Sequence, residues 1–334
     1  MTDKVELVNE DKTFVTETGE TILGAALRHG IVIPHNCRNG FCGSCMGLLS
    51  SGAVEYSNGR PQGITEQQQQ EGYILCCQAT TRGDVSLQVE TIDAVADIEI
   101  RTLPCRVSRL EKLSSDVMLM ELKLPPHENF VFIPGQYIDI LLRDGRRRSF
   151  SMANPPSVSD RIMLHVREVP GGSFTSEVFR EMKLKDMLRI QGPFGTYILR
   201  EDAPRPAVMI AGGTGLAPVL SILEQAREHG CDRDMHLYWG VRSERDLYYH
   251  RQLQDLSGEL DCLSYKAVLS EPESAGKWTG ATGWVHETVM SDFPDLTGMD
   301  VYASGPPPMI EAIQDSFPAI GLEQGHFYFC LLYT

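Results

Sequence analysis

The most constraining feature of this chain is a stretch of nine residues, 37–45, with the sequence CRNGFCGSC. It contains three cysteines and two glycines, and two further cysteines follow in the segment LCCQ, residues 75–78. Cysteines at this density are typical of a disulfide loop, a zinc knuckle or an iron–sulfur loop. Because each of these sites imposes a different local fold, the choice among them decides how the N-terminal part of the chain is organised.

Other features of the sequence weaken the disulfide interpretation. The N-terminal segment MTDKVELVNEDKTF has neither a basic n-region nor an apolar h-region, so it predicts no secretory signal. No apolar run is long enough to span a bilayer. We therefore expect a cytoplasmic protein without a membrane partner, and structural disulfides are rare in that compartment. The formal net charge of −15 also argues against nucleic acid as a partner.

The cysteine spacing favours an iron–sulfur loop over a zinc site. A C-x4-C-x2-C run followed by a distant thiolate is typical of plant-type 2Fe–2S clusters. Gly40 and Gly43 allow a tight turn in which backbone N–H groups face the sulfurs. A structural zinc site would usually offer two C-x2-C pairs, and this region has one. The predicted ligands are the three cysteines of the loop and one of the later pair, that is Cys37, Cys42, Cys45 and either Cys76 or Cys77.

The chain divides into three segments of different character. Residues 1–93 predict two strands, an amphipathic helix over 22–29 and a short helix in TEQQQQEGY. Residues 99–203 alternate short β-rich runs with turns, which predicts an antiparallel β-barrel. Residues 204–334 alternate strands with helices, which predicts a doubly wound α/β domain. The sequence therefore predicts a multidomain protein.

Two further motifs suggest cofactor sites. In RRRSFSMANPP, residues 146–156, Arg148 is suited to a diphosphate, Phe150 to stacking on a flavin ring and Ser151 to a hydroxyl contact near the flavin N5. A plain basic surface turn is the alternative for this motif. In AVMIAGGTGLAPVLSIL, residues 207–223, a strand, a glycine turn and a helix follow one another, as pyrophosphate sites require. A plain tight turn is the alternative there.

In this order the three motifs resemble the bacterial NAD(P)H-dependent flavo-iron-sulfur reductases. Two subgroups fit best, namely the reductase components of aromatic-ring-hydroxylating oxygenases and the CDP-6-deoxy-glucoseen reductases. The resemblance implies a β-grasp ferredoxin domain, a flavin domain and a nicotinamide domain, with a 2Fe–2S cluster, FAD and NADH as cofactors. It also implies that Cys77 is the fourth ligand, because the family's fourth cysteine commonly precedes a glutamine, here Gln78.

The resemblance extends to individual site residues. Residues 148–151 match an R-x-Y-S flavin signature with phenylalanine in place of tyrosine, and SGPPPM matches a C-G-P-P element with Ser304 in place of cysteine. Arg242 and Arg245 stand beside Glu244 and Asp246 at a strand end, where the charges nearly cancel, so NADH over NADPH follows from the resemblance. The predicted cofactor-binding residues are Arg148, Ser149, Phe150, Ser151, Gly172, Thr175, Gly212, Gly213, Thr214, Gly215, Arg242, Gly305, Pro306 and Met309, with Ser151 also catalytic.

These features together predict a monomeric oxidoreductase. The resemblance implies that electrons pass from NADH through FAD and the cluster to a protein acceptor. The favoured acceptor is the oxygenase component of an aromatic-ring-hydroxylating system. The alternatives are a dehydrase of deoxysugar synthesis and a redox-sensing module without turnover. The C-terminus GHFYFCLLYT departs from the family's usual ending, so a flavin contact by Phe327, Tyr328 or Phe329 is left open.

Overall fold

The computed structural model describes residues 2–200, 205–272, 278–323 and 325–332. The chain forms two compact units, Met1–Glu99 and Ile100–Thr334, and each has its own buried core. The domain boundary that we predicted between residues 203 and 204 lies outside the described residues. Within the described residues, no helix combines the length and apolar character that a membrane span requires.

The N-terminal unit is an α+β domain built on one mixed sheet. The sheet has the strand order β2-β1-β7-β3-β5, with β1 antiparallel to β2 and parallel to β7. A separate two-stranded antiparallel sheet pairs β4 with β6. The strands are β1 (Asp3–Leu7), β2 (Lys12–Thr16), β3 (Met46–Ser51), β4 (Val54–Glu55), β5 (Tyr73–Leu75), β6 (Thr80–Thr81) and β7 (Val85–Gln88), and the α-helices are α1 (Ile22–Arg28) and α2 (Glu66–Gln70).

Both predicted helices of this unit are confirmed, and their caps explain where they begin. Thr21 accepts a hydrogen bond from the Gly24 N–H before α1, and Thr65 forms a capping box with Gln68 before α2. The prediction of only two strands was wrong. Several of the missed strands have two or three residues, too few for an alternating pattern to be visible in the sequence.

The first part of the second unit is an antiparallel sheet with the order β11-β10-β13-β8-β9-β12. Its edge strands meet at one isolated bridge, between Met152 and Leu164, and no ladder within the described residues closes the sheet. The predicted barrel-like, antiparallel architecture is therefore confirmed, with an open seam. Its elements are β8 (Arg101–Lys112), β9 (Val117–Lys123), β10 (Tyr137–Leu141), β11 (Arg147–Ser151), β12 (Arg161–Arg167), β13 (Met187–Phe194) and α3 (Ser173–Arg180).

The second part of this unit is the predicted doubly wound α/β domain. Its parallel sheet has the order β17-β16-β15-β14-β18-β19. The strands that follow β14 in the chain are added first on one side of it, as β15 to β17, and then on the other side, as β18 and β19. The switch point therefore lies between β14 and β18, and ligands bind beyond the carboxyl ends of the strands at such a point. The strands are β14 (Ala207–Gly212), β15 (Met235–Val241), β16 (Leu263–Leu269), β17 (Ala281–Thr282), β18 (Asp300–Gly305) and β19 (Phe327–Leu331), and the helices are α4 (Leu216–His229), α5 (His250–Glu259), α6 (Val285–Asp292) and α7 (Pro307–Ser316).

Buried polar contacts join the two parts of the second unit. Ser221 of α4 donates to the Asn154 carbonyl at 2.7 Å, and both residues are buried. His165 of β12 lies with Nδ1 3.1 Å from the Tyr248 hydroxyl, and the Tyr248 ring packs edge-on against Trp239 of β15. These contacts hold the end of β12 next to the glycine turn that follows β14.

Candidate cofactor-binding sites

The cysteine loop between α1 and β3 folds around two glycines with positive φ. Gly40 has φ +79° and Gly43 has φ +75°, in the left-handed region that glycine adopts without strain. A Cβ atom at position 40 would stand 2.8 Å from Gln78 Cγ and 2.9 Å from Pro61 Cβ. The Gln78 amide donates in turn to the Arg38 carbonyl at 3.1 Å. The loop therefore closes against the residue that follows the cysteine pair.

The four sulfur atoms of the predicted ligands form two contacting pairs. The Cys37 thiol contacts that of Cys42, and the Cys45 thiol contacts that of Cys77. The N–H groups of Asn39 and Cys42 each donate to Cys37 Sγ at 3.4 Å, and the Cys77 N–H donates to Cys45 Sγ at 3.4 Å. Contact with Cys42 lowers the pKa of Cys37 to about 5, and contact with Cys45 lowers the pKa of Cys77. Two thiol pairs fit a 2Fe–2S cluster, which needs two thiolates on each iron.

Cys76 has different surroundings from Cys77. Its side chain is fully buried in the hydrophobic core of the unit, and burial raises the pKa of its thiol to about 12. Among the described residues, no three His, Cys, Asp or Glu side chains converge closely enough to hold a single metal ion. The two contacting thiol pairs, Cys37 with Cys42 and Cys45 with Cys77, suit the two irons of a binuclear cluster.

Of the predicted flavin residues on β11, Phe150 meets the start of α3, where Gly172 and Thr175 lie. The Phe150 ring packs against Phe174 of α3, with 5.7 Å between ring centroids. Gly172 caps α3, and a Cβ atom there would stand 2.6 Å from Thr175 Oγ1. Thr175 Oγ1 accepts from the Val169 N–H at 3.1 Å, so this hydroxyl shapes the turn. The helix start, with its free N–H groups and positive dipole end, fits a diphosphate.

The side chains of β11 alternate between two environments. Ser149 donates to Asp139 Oδ1 at 2.7 Å, while the Arg148 guanidinium donates to the Arg147 carbonyl at 2.8 Å. Ser151 at the end of the strand is buried. By strand alternation Arg148 and Phe150 lie on one face of β11, and Ser149 and Ser151 lie on the other.

Six of the predicted nicotinamide residues line a cavity of about 810 Å³ at the carboxyl edge of the parallel sheet. The buried indole N–H of Trp239 donates to the Gly213 carbonyl at 2.9 Å and so holds the glycine turn that lines the cavity. Gly213 has φ +54° and begins the short 3-10 turn that precedes α4. A cavity of this size, bordered by a glycine turn, fits part of a dinucleotide. The predicted residues that line it are Gly212, Gly213, Thr214, Arg242, Pro306 and Met309.

Gly215 and Gly305 do not line this cavity, and their role is close packing. A Cβ atom on Gly215 would stand 2.0 Å from the Ser304 carbonyl oxygen, and one on Gly305 would stand 2.5 Å from Met309 Cε. Glycine at these two positions lets the turn after β14 approach the end of β18. Both residues therefore support the cavity from behind.

The end of β11 meets the ends of β18 and β19. Ser151 Oγ lies 3.9 Å from Cys330 Sγ, and Cys330 pairs in register with Ser304. The hydroxyls of Ser304 and Tyr197 are buried and have no hydrogen-bond partner in the described part of the chain. Buried hydroxyls in this state favour a ligand with hydrogen-bonding groups. Ser151, which we predict to contact the flavin, therefore lies close to the ends of β18 and β19.

The three C-terminal aromatic residues lie on β19, and a flavin contact by any of them stays a prediction. Phe327 and Phe329 stack on each other at 5.3 Å between centroids, and Tyr328 stacks on Tyr302 at 4.8 Å. The residue of β19 that reaches Ser151 is instead Cys330. Nothing in the sequence pattern singled out this cysteine.

Three more residues of the nicotinamide cavity were not predicted. Asp116 precedes β9, Arg167 ends β12, and Trp284 is a 61% exposed side chain before α6. Arg167 Nη1 lies 2.7 Å from the point where a Gly213 Cβ would stand. Asp116 and Trp284 belong to no motif, and only the fold brings them to the cavity.

Comparison with known proteins agrees with this geometry. Residues 5–82 match the family model of the 2Fe-2S iron-sulfur cluster binding domain, residues 104–198 match the oxidoreductase FAD-binding domain, and residues 209–315 match the oxidoreductase NAD-binding domain. The chain is 38% identical over 319 residues to a CDP-6-deoxy-L-threo-D-glycero-4-hexulose-3-dehydrase reductase of Yersinia pestis, covering 94% of each chain. The chain belongs to the flavo-iron-sulfur reductases.

Further matches place this flavo-iron-sulfur reductase among proteins of two subgroups. It is 32% identical to reductase component 1 of terephthalate 1,2-dioxygenase from Comamonas sp., covering 98% of this chain and 96% of the relative. The solved structure of an Amycolatopsis cytochrome P450 reductase matches with a TM-score of 0.83 and 28% identity, covering 98% of each chain. The family, the fold class and the three cofactors expected from the sequence are confirmed. The protein is an NAD- and FAD-dependent oxidoreductase with a 2Fe–2S domain.

Proposed function

We propose that this reductase takes electrons from NADH and delivers them to the oxygenase component of a multicomponent aromatic-ring-hydroxylating system. The observation that carries the proposal is the meeting of β11 with the ends of β18 and β19, where Ser151 lies 3.9 Å from Cys330. It puts the side chain assigned to the flavin beside the edge of the nicotinamide cavity. Hydride transfer needs the two rings at such a junction.

The residues at the junction have distinct roles in this proposal. Arg148 binds the FAD diphosphate together with the start of α3, at Gly172 and Thr175. Phe150 gives the flavin ring an apolar face, held by Phe174. FAD held by these residues would supply the capacity to take up a hydride and to release single electrons. Ser151 places a hydroxyl toward the reacting edge of the flavin, and its burial keeps water away.

The nicotinamide nucleotide occupies the cavity after β14 in this proposal. The turn formed by Gly212, Gly213 and Thr214 lets the backbone approach the pyrophosphate, and Arg167 adds a positive charge there. Pro306 and Met309 form the wall that follows β18. Arg242 lies toward the adenosine end of the site.

The cluster is the exit for electrons in this proposal. Cys37 and Cys42 would hold one iron and Cys45 and Cys77 the other, a division supported by the two contacting thiol pairs. Cys76 is a buried neighbour without a metal. N–H groups directed at the sulfurs stabilise the negative charge of the cluster. We further propose that the protein acts as a cytoplasmic monomer.

The choice of acceptor has two candidates. The similarity to reductases that serve a dioxygenase and a cytochrome P450 supports the oxygenase. The chain is 38% identical to a hexulose dehydrase reductase and 32% identical to the dioxygenase reductase component, and the higher value favours a deoxysugar dehydrase as the second candidate. NADH consumption with purified terephthalate-type oxygenase and with a CDP-hexose dehydrase tests them. Coupled product formation with the dehydrase alone would replace the first candidate by the second.

A redox sensor without turnover is the competing class of function. Protein loaded with flavin and cluster should reduce cytochrome c continuously at the expense of NADH. Absence of turnover in fully loaded protein would overturn the reductase proposal and leave the sensor. Equal or better efficiency with NADPH would overturn only the assignment of NADH as the donor.

A further inference from the structure

The turn between β8 and β9 brings a carboxylate of the flavin domain into the nicotinamide domain. Ser115 and Asp116 line a second cavity, of about 320 Å³, together with residues that follow β15. Asp116 and Arg242 line this cavity and the larger one. The two cavities therefore share one acidic and one basic side chain. The smaller cavity lies just beyond the carboxyl end of β15, the second strand of the parallel sheet, where doubly wound folds bind the adenosine ribose, so we assign it to the adenosine end of the proposed nucleotide site.

Asp116 is held in one orientation by its own turn. Its Oδ1 accepts from the Ser114 hydroxyl at 3.0 Å, and its backbone carbonyl accepts from the Glu168 N–H at 2.8 Å. Its Oδ2 lies 3.1 Å from Arg167 Nε and 4.0 Å from Arg242 Nη2. The carboxylate is only 26% exposed, so its interaction with the two guanidinium groups is partly shielded from solvent.

Carboxylates also accompany the two arginines that line the smaller cavity. Asp246 Oδ2 accepts from both the N–H and the hydroxyl of Ser243 at 2.9 Å, so this carboxylate holds the turn after β15. Glu271 adds a further negative charge at the rim. Three carboxylates thus face the two arginines, Arg242 and Arg245. Because Arg167 also lies 3.1 Å from Asp116, three guanidinium groups balance the three carboxylates of this region, and a phosphate monoester with about −1.5 to −2 charges would find no excess of positive charge there.

We propose that Asp116 determines the dinucleotide specificity of this reductase by acting as the counter-ion of Arg242. The Asp116 carboxylate pairs with Arg242 in the position where a 2′-phosphate would otherwise bind this arginine. The 2′-phosphate of NADPH therefore lacks a cationic partner, whereas NADH has no 2′-phosphate and its binding is unaffected. The specificity determinant therefore comes from the flavin domain rather than from the nucleotide-binding domain. The inference rests on the proposed use of NADH.

The test compares binding of adenosine 2′,5′-bisphosphate and of ADP to the full-length, cofactor-loaded protein by titration calorimetry at low ionic strength. Asp116→Asn keeps the shape and the bond from Ser114 but removes the charge. We expect its affinity for the 2′-phosphorylated probe to rise at least about tenfold, with less than about threefold change for ADP. The kcat/KM for NADPH should rise in parallel.

Three further variants make the result specific. Asp160→Asn removes a carboxylate that pairs with Arg161 elsewhere on the flavin domain, and should change neither affinity. Asp116→Glu keeps the charge and should keep the discrimination. In Asp116→Asn combined with Arg242→Ala, the gain for the 2′-phosphorylated probe should disappear.

Two affinity results would overturn the inference. One is an unchanged affinity of Asp116→Asn for the 2′-phosphorylated probe relative to Asp160→Asn. The other is a gain that persists without Arg242. Loss of FAD or of the folded state in Asp116→Asn, with discrimination also lost in Asp116→Glu, would assign Asp116 a purely structural role and likewise overturn it. A wild-type preference for NADPH would instead overturn the proposed donor, whatever the variants do.

Discussion

At the scale of single residues, the adjacent cysteines Cys76 and Cys77 show how one position along the chain changes the chemistry. Both residues lie in the turn that follows β5, where the Gln78 and Ala79 N–H groups donate to the Leu75 carbonyl, and this turn gives the two side chains different surroundings. The Cys76 side chain packs in the hydrophobic core, while the Cys77 thiol contacts the thiol of Cys45 in the cysteine loop. Burial raises the pKa of Cys76 to about 12, which opposes formation of the thiolate that iron needs.

The first prediction follows from this difference. Cys77→Ser should lose the red-brown colour and the rhombic EPR signal of the reduced cluster, because one iron loses a ligand. Cys76→Ser is the matched control and should retain both signals, although a buried hydroxyl costs stability of about 1–3 kcal/mol. The opposite behaviour of the two variants would show that the fourth ligand is Cys76.

The second prediction concerns FAD retention. Arg148→Ala should weaken FAD binding by about 1.5–3 kcal/mol, because a charge-assisted hydrogen bond to the diphosphate is lost. Arg147→Ala is the matched control, since Arg147 lies next to it on β11 and bonds Gln191 at 2.9 Å. Ser151→Ala should keep FAD but slow its reduction by NADH in stopped flow. Released flavin after gel filtration measures retention, and full retention by Arg148→Ala would count against the assignment.

At the scale of elements, the sequence was informative where a pattern is long and local. The run from β14 through the glycine turn into α4 was predicted because an apolar strand, glycines and an apolar helix follow one another. The short strands β4 to β6 were not predicted, because two or three residues carry no periodicity. Asp116 and Cys330 were missed for another reason, since they reach the site only through strand pairing and a turn far away in the chain.

The third prediction belongs to the contact between β12 and the segment after β15. His165 is buried there, and burial lowers its pKa to about 4. The unfolded chain binds this proton with a pKa near 6.5, so it holds more protons than the folded state between about pH 4 and 6.5. The free energy of unfolding should therefore fall as the pH drops through this range, by up to about 1.4 kcal/mol per pH unit.

Urea unfolding at several pH values measures this effect. Tryptophan fluorescence reports the second unit, because all three tryptophans, Trp239, Trp278 and Trp284, belong to it. His165→Asn should show a smaller dependence on pH than the wild type. His127→Asn, at an exposed position with φ +70° that asparagine tolerates, should leave the dependence unchanged. An identical pH dependence in all three proteins would exclude His165 as a source.

At the scale of the whole molecule, the order of the three domains along the chain could be predicted because each carries its own motif. The assignment of two of them to one compact unit could not, because it depends on contacts such as Ser221 to Asn154 and His165 to Tyr248. These side chains have no signature in the sequence. The N-terminal unit has a separate core that includes Val5, Ile22 and Leu87, so it does not depend on those contacts.

The last prediction follows from this division. The excised fragment 100–334 should fold, retain FAD and reduce ferricyanide with NADH at a rate close to that of the full chain. Its reduction of cytochrome c should fall at least about tenfold, because the exit through the cluster is missing. Addition of fragment 1–99 with its cluster should restore the activity in proportion to its concentration. The restoration should remain incomplete at micromolar levels, since a covalent link provides an effective concentration of about millimolar. Cytochrome c reduction at the full rate by fragment 100–334 alone would mean that electrons leave from the flavin, and the cluster would lose its place at the end of the route.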